Sequence, residues 1–296
     1  MKIPLLTAAI AVALTASIAN ADRGSIPFKQ GVEIFEPNQR AMLAWNGEEE
    51  ILLLSTDLWA SESTMVLEVL PLPSEPEVKE GDVEIFAKAA EIINRKVAAE
   101  GGSTRGDKLA PGMAKREPAG EVTFHEKIGS HDISVVHVLN QMGFVAWVGD
   151  YLDSAGVKNP TIPEPLKEVV EEYIAEGFTW FVFDVVSLDE EPKTSEAIQY
   201  KFKTDYLYYP LKITRTETGF TNVDLLILTP RLLSVFPGYP HKRISLPHDP
   251  VTIAGIELWG LSQDMYELLG KPKEAKLRIW RIAGDLASFE KDLLAR

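Results

Sequence analysis

Hydrophobic positions fall into short runs with two different periods. Arg40 to Trp45 and Ile51 to Asp57 are apolar runs joined by Asn46-Gly47-Glu48-Glu49-Glu50. Asn-Gly supplies the positive-φ positions of a tight reversal, so the pair predicts a β-hairpin. A third run, Thr64 to Leu70, ends in Pro71-Leu72-Pro73-Ser74-Glu75-Pro76, where prolines remove ladder donors and are expected to stop the sheet. The period then changes to that of a helix. Asp82 is its cap, and Val83, Phe86, Ala87, Ala90, Ile93 and Val97 form the expected buried face, with Gly101-Gly102 as the stop.

Gly101 to Gly120 is glycine-rich, proline-punctuated and polar, and reads as an exposed loop, either a solvated insertion or a contact arm. Glu121 to Leu139 predicts a second hairpin turning at Gly129-Ser130, followed by a helix over Asn140 to Leu152 with Met142, Val145, Ala146, Val148 and Leu152 inward. A clearer helix starts near Pro165, buries Leu166, Val169, Val170, Tyr173 and Ile174, and stops at Gly177. Phe178 to Leu188, Gln199 to Ile213 and Val223 to Thr229 predict longer strands. Leu277 to Ile282 predicts a last strand and Leu286 to Leu294 a terminal helix. The pattern gives an α+β fold, with mixed or antiparallel sheets and packed helices in two closely associated subdomains. The expected boundaries are 1–21 for a signal peptide, 22–120 for an N-terminal subdomain ending in the loop, and 121–296 for a C-terminal subdomain.

The signal reading rests on Lys2, the apolar Ile3 to Ile18 and the small-x-small Ala19-Asn20-Ala21, which place the mature start near Asp22 outside the cytoplasm, in the periplasm or beyond. Without a cysteine, lipid attachment at the cut site, disulfides and thiol catalysis are excluded. No later apolar run approaches the ~20 residues that span a bilayer, so no membrane anchor is expected after cleavage. Net charge is −14, becoming −15 once a signal with one lysine and no acid is removed. Such a surface repels nucleic acid and anionic lipid and leaves a protein or cell-envelope component as the candidate partner.

Candidate chemistry is sparse. In the second hairpin a turn at Gly129-Ser130 pairs His125 with Ser134, on the face opposite His131 and His137. Those two are six residues apart, about 20 Å at ~3.3 Å per residue, so no metal site is expected. His125-Glu126 begins like a zinc-protease motif, but position 129 is Gly. Gly260-Leu261-Ser262-Gln263-Asp264 lacks the second glycine of a nucleophile elbow, and no cofactor fingerprint is present. Asp189-Glu190-Glu191 lacks the ligand alternation of a calcium loop. Tyr200, Phe202, Tyr206 and Tyr208 would share a strand face that is either core or a sugar or peptide platform. His241, His248 and Asp249, in the proline-rich connection Phe236 to Pro250, are the leading polar surface site. The leading function is non-enzymatic binding outside the cytoplasm. The alternative is an extracytoplasmic hydrolase using acidic residues or the His241 to Asp249 loop, with no catalytic residue assigned.

Four segments together resemble a catalogued family. They are Gln39 to Asp57, Leu67 to Val78 with Val83 to Phe86, the helix-to-strand passage Glu171 to Val182, and Tyr208 to Ile213. The closing Leu277-Arg278-Ile279-Trp280-Arg281 and Phe289 to Leu293 extend the match. The chain is identified by these as similar to the secreted prokaryotic proteins of domain of unknown function 2330. The resemblance implies an exported α+β domain and carries over no catalytic residue. The chain departs from relatives that have cysteines near the mature N-terminus and a membrane segment at the C-terminus: Asp22 to Phe28 holds no cysteine, and Arg296 is expected to lie in a polar helix.

Overall fold

The computed structural model describes residues 24–29, 32, 34–35, 39–99, 122–157, 160–190, 193–217 and 219–296. The expected signal peptide and the loop Gly101 to Gly120 lie outside the described residues. In chain order the first elements are β1 (Gly24–Pro27), β2 (Ile34–Phe35), β3 (Gln39–Trp45), β4 (Glu49–Ala60), β5 (Thr64–Leu72), β6 (Glu77–Gly81) and α1 (Glu84–Ala99). Next come β7 (Val122–Ile128), β8 (His131–His137), α2 (Gln141–Ser154), α3 (Glu164–Ala175), β9 (Trp180–Leu188), β10 (Lys193–Lys203) and β11 (Leu207–Tyr209). The remainder is β12 (Phe220–Thr229), β13 (Ile244–Ser245), β14 (Val251–Ala254), α4 (Gly255–Leu261), α5 (Gln263–Leu268), β15 (Glu274–Asp285) and β16 (Leu293–Ala295).

These elements stack as helices, sheet, sheet, helices. One antiparallel sheet runs β1-β5-β9-β8-β7, and a mixed sheet runs β13-β15-β12-β3-β4-β10-β6 with β14 on β15 and β2 on β4. The β12–β3 pair is parallel. The inner faces meet in one core, where Leu43, Leu54, Tyr200, Leu225 and Ile282 oppose Leu70, Ile133, Val135 and Val182. The outer face of the mixed sheet is covered by α1, α4 and α5. That of the antiparallel sheet is covered by α2 and α3. Both sheets are therefore closed on both faces. The subdomains expected on either side of position 120 do not coincide with them, since each large sheet takes strands from both segments.

Local chemistry explains the hairpins. Asn46 Oδ1 accepts from the backbone N–H of Glu48 and Glu49, both at 2.8 Å, and Gly47 takes φ 111°. The β7–β8 turn places Gly129 at φ 70°, and its register pairs His125 with Ser134 as expected. Asn140 caps α2 through Gly143 N–H at 2.8 Å, and Gly177 follows α3 at φ 93°.

Several expectations are corrected. β5 continues through Pro71 to Leu72, because β1 pairs only as far as Val69 and the donor that proline lacks faces no neighbour on that side. The face of α1 is rotated: Ile85, Phe86, Ala89, Ile92 and Ile93 are buried while Ala87 is exposed. In α2 the aromatics Phe144 and Trp147 point inward and Met142 is 79 % exposed. The strand expected over Gln199 to Ile213 breaks at Thr204, whose hydroxyl accepts from Tyr206 N–H. Beyond it β11 pairs with β16, so the helix expected over Leu286 to Leu294 is reduced to a single 3-10 turn at Leu286–Ser288 and the chain ends in a strand. The helices α4 and α5, each under two turns, are too short for periodicity to reveal.

Candidate functional site

The aromatic positions are divided by that break. Tyr200, Phe202 and Tyr208 are buried in the inter-sheet core, and Tyr206 lies under the Arg296 guanidinium. They supply core area, so the platform reading falls.

The described histidine side chains do not converge. The strand carrying His125 pairs as described above. His131 is 1 % exposed, with Nδ1 2.7 Å from Asp184 Oδ2. His137 stacks on Trp180 at 4.4 Å. Asp184 also faces Glu68 directly across the β5–β9 ladder, so three ionisable side chains share the sandwich interior. The sequence signal for these two acids was a lone carboxylate inside an apolar strand, Val-Leu-Glu-Val-Leu and Val-Phe-Asp-Val-Val. At this burial a substrate has no access to the dyad, which ties β8 to β9. Among the described residues no three His, Asp or Glu side chains group as metal ligands.

A second buried network fixes the C-terminal strand. Asp292 Oδ1 accepts from Tyr173 Oη at 2.7 Å and Lys212 N–H at 2.8 Å. Lys212 Nζ lies 4.1 Å over the Tyr173 ring and pairs with Glu176 at 2.7 Å. Burial pushes the Asp292 carboxyl up to about 6, against the lowering effect of those hydrogen bonds and of the lysine. Burial likewise raises Tyr173 well above the usual phenol range, with the Asp292 charge adding to it. Glu50, which accepts from Tyr208 N–H at 2.7 Å, is raised well above the carboxylate range by burial. These groups hold secondary structure together inside the molecule.

The exposed candidates are on the mixed sheet. A cleft of about 440 Å³ is lined by Glu49, Glu77, Lys79, Gln199, Lys201 and Asp264. Its charges are already matched, Lys79 on Asp264 at 2.7 Å and Lys201 on Glu49 at 3.0 Å. On α4 the exposed Ile256 and Trp259 border a groove with Tyr266 and Lys273.

The connection from β12 to β14 has a different character. In a chain with 44 acidic residues, positions 225–248 contain none, while Arg231, Lys242 and Arg243 are exposed within it. Leu232, Val235 and Leu246 are 51 %, 46 % and 46 % exposed beside them. Phe236 anchors the segment by packing on Trp280 of β15 at 5.4 Å and on His241 at 5.1 Å. His248, an expected polar surface residue, is largely buried: Nδ1 lies 2.6 Å from Asp249 O and Nε2 accepts from Ile279 N–H at 3.1 Å. Donation to a carbonyl and acceptance from an amide fix it as the neutral Nδ1–H tautomer. Its ring nitrogens are thus committed to the backbone, whereas His241 and Asp249 are exposed.

The family model for uncharacterized proteins conserved in bacteria, DUF2330, matches residues 19–234. The chain belongs to this family. The DUF2330 match runs from the β-strands at the start of the sandwich through β12. No curated protein matches the chain. Two solved structures are similar to it at 8 % identity. The crystal structure of baculovirus P35 has a TM-score of 0.40 and covers 77 % of this chain and 76 % of that one. A 3.1 Å crystal structure of a mutated baculovirus P35 after caspase cleavage has a TM-score of 0.36, with coverages of 73 % and 77 %. At these scores the likeness carries no argument about this DUF2330 member.

Proposed function

We propose that the chain is an exported, non-enzymatic binding protein that engages another protein or a cell-envelope component through the surface of residues 230–250. The observation that supports it is the acid-free segment 225–248, with Arg231, Lys242 and Arg243 beside exposed Leu232, Val235 and Leu246. Exposed apolar side chains next to unopposed cations have the makeup of an association surface, and their charge is opposite to that of the molecule as a whole. Export is supported by Ile3 to Ile18 followed by Ala19-Asn20-Ala21. No helix among the described residues is long and apolar enough to cross a membrane.

The test is capture from envelope extract by immobilised mature protein, beside a triple variant Arg231→Glu, Lys242→Glu, Arg243→Glu. Binding through this surface requires a partner held by the wild type and lost by the variant. Equal capture by both would reject the reading. The alternative, an extracytoplasmic hydrolase, is tested by replacing His241, His248 and Asp249 with Ala in a substrate screen. The commitment of both His248 nitrogens to backbone groups speaks against it.

A further inference from the structure

Beneath the same surface, β12 and β15 form a small cavity of about 90 Å³ lined by Thr229, Leu232, Leu233, Lys276, Arg278 and Trp280. Strand register explains the lining. Thr229 pairs with Lys276 and Ile227 with Arg278, so both cations stand on one face of β15, two residues or roughly 7 Å apart. Each is held by a neutral group. Arg278 Nε donates to His248 O at 3.1 Å, and Lys276 Nζ donates to Thr252 Oγ1 at 2.8 Å. Their carboxylate neighbours stand off at 3.8 Å: Asp249, itself 97 % exposed, beside Arg278, and Glu274 beside Lys276. Other ordered cations sit directly on carboxylates, as Lys96 does on Glu257 at 2.7 Å and Arg281 on Asp224 at 2.5 Å. Two oriented, weakly matched cations beside Trp280 and Leu232 make a site that is both anionic-seeking and apolar.

Its size selects the ligand. About 90 Å³ is the space of about three liquid waters, far below the roughly 300 Å³ at which small-molecule pockets begin. A carboxylate with one small apolar group fills it. The last residue of a peptide carries both on the same carbon, whereas an internal Asp or Glu brings its carboxylate at the end of a methylene stem.

We infer that this cavity binds the C-terminal carboxylate of a partner peptide ending in a small apolar residue, with Arg278 and Lys276 taking the carboxylate and Leu232, Leu233 and Trp280 the side chain. This rests on the binding role proposed above and names the chemistry of the partner. The guanidinium, already fixed through Nε, offers its terminal N–H groups to the two oxygens.

Calorimetric titration of the mature protein with a short peptide ending in valine, as free acid and as amide, tests it directly. A third peptide carries an internal Asp and an amidated end. The free acid should bind at least about tenfold more tightly than either of the others, as loss of a charge-assisted contact requires. Lys276→Gln and Arg278→Gln should each weaken the free acid by about tenfold or more. Because Arg278 also holds His248 O, Leu232→Glu provides a variant at an exposed rim position that spares the fold, verified by an unchanged melting temperature, and it too should abolish binding. Lys88→Glu, on α1 and outside both the cavity and the surface of residues 230–250, should leave the titration unchanged. Equal affinity for acid and amide, equal affinity for the internal Asp peptide, or tight binding by folded Leu232→Glu would overturn the inference. Envelope capture that survives Leu232→Glu without peptide binding rejects the pocket and leaves the binding role standing; peptide binding without capture does the opposite.

Discussion

Replacing Asp292 by Asn should remove a specific component of the pH dependence of stability. The carboxyl is buried between α3 and the segment after β11, and burial raises it from 3.8 to about 6. A group whose folded value lies above its unfolded value holds its proton more tightly when folded. Its contribution is therefore complete below about pH 4 and is lost as pH rises through about 6. At about 1.4 kcal/mol for each tenfold in proton affinity, the interval from 3.8 to about 6 corresponds to about 3 kcal/mol. Asparagine is neutral throughout and keeps an Oδ1 acceptor for Tyr173 Oη and Lys212 N–H. Thermal melts followed by circular dichroism from about pH 4 to about pH 8 should show the variant gaining on the wild type by about 3 kcal/mol. At roughly 2 to 4 °C per kcal/mol this is a separation of about 6 °C or more. Parallel curves, or a wild type that loses ground to the variant toward acid, would refute the assignment of the raised value to burial of this carboxyl.

Glu50→Gln should move the pH profile in the same direction, since burial also raises Glu50, and additive effects in the double variant with Asp292→Asn would show that the two sites act separately. Asp184→Ala removes the buried contact to His131 Nδ1 and should cost about 1 to 3 kcal/mol in urea unfolding, with His131→Leu in the same chain recovering part of it. His248→Ala leaves Ile279 N–H without its acceptor and should cost about 1 to 3 kcal/mol. Gly238→Ala should fail to reach the native melting temperature by a wide margin, because a Cβ there would lie 2.3 Å from Asp292 O and 2.7 Å from Leu294 N, both backbone.

The parts of the fold written in local pattern were legible: the two hairpins through Asn46-Gly47 and Gly129-Ser130, and α3 through its Leu166, Val169, Val170 and Tyr173 face. Registry failed where tertiary partners decide. Ala87 and Met142 fit a helical stripe by spacing alone, but bulkier neighbours, Ile85 and Phe144, took the inward positions because they bury more area. Sheet membership was not legible at all. Nothing local in Thr64 to Leu72 says that it pairs with Trp180 to Leu188 and leaves the β3–β4 hairpin behind. His241, His248 and Asp249 make their loop stand out in the sequence, yet the His248 ring serves the backbone, while the cations of the proposed pocket, Lys276 and Arg278, lie in an ordinary strand. Their proximity to Leu232 follows from how 230–250 folds over β15, which no spacing reveals.

The interleaving of the two sheets also sets an order of events for the chain as it grows. The antiparallel sheet has all its strands once residue 188 has been made, but its inner face is covered by a sheet that needs β12 and β15. The parallel pair joins Gln39 to Val223, a separation that makes closure slow. Until β10, β12 and β15 emerge, Leu70, Ile133, Val135 and Val182 can meet only the part of the facing sheet that β3, β4 and β6 supply. A nascent chain in this condition cannot lock prematurely, and it is also open to sticking to its own kind. Time to completion, more than final stability, is then the property on which substitutions in β12 and β15 would act first.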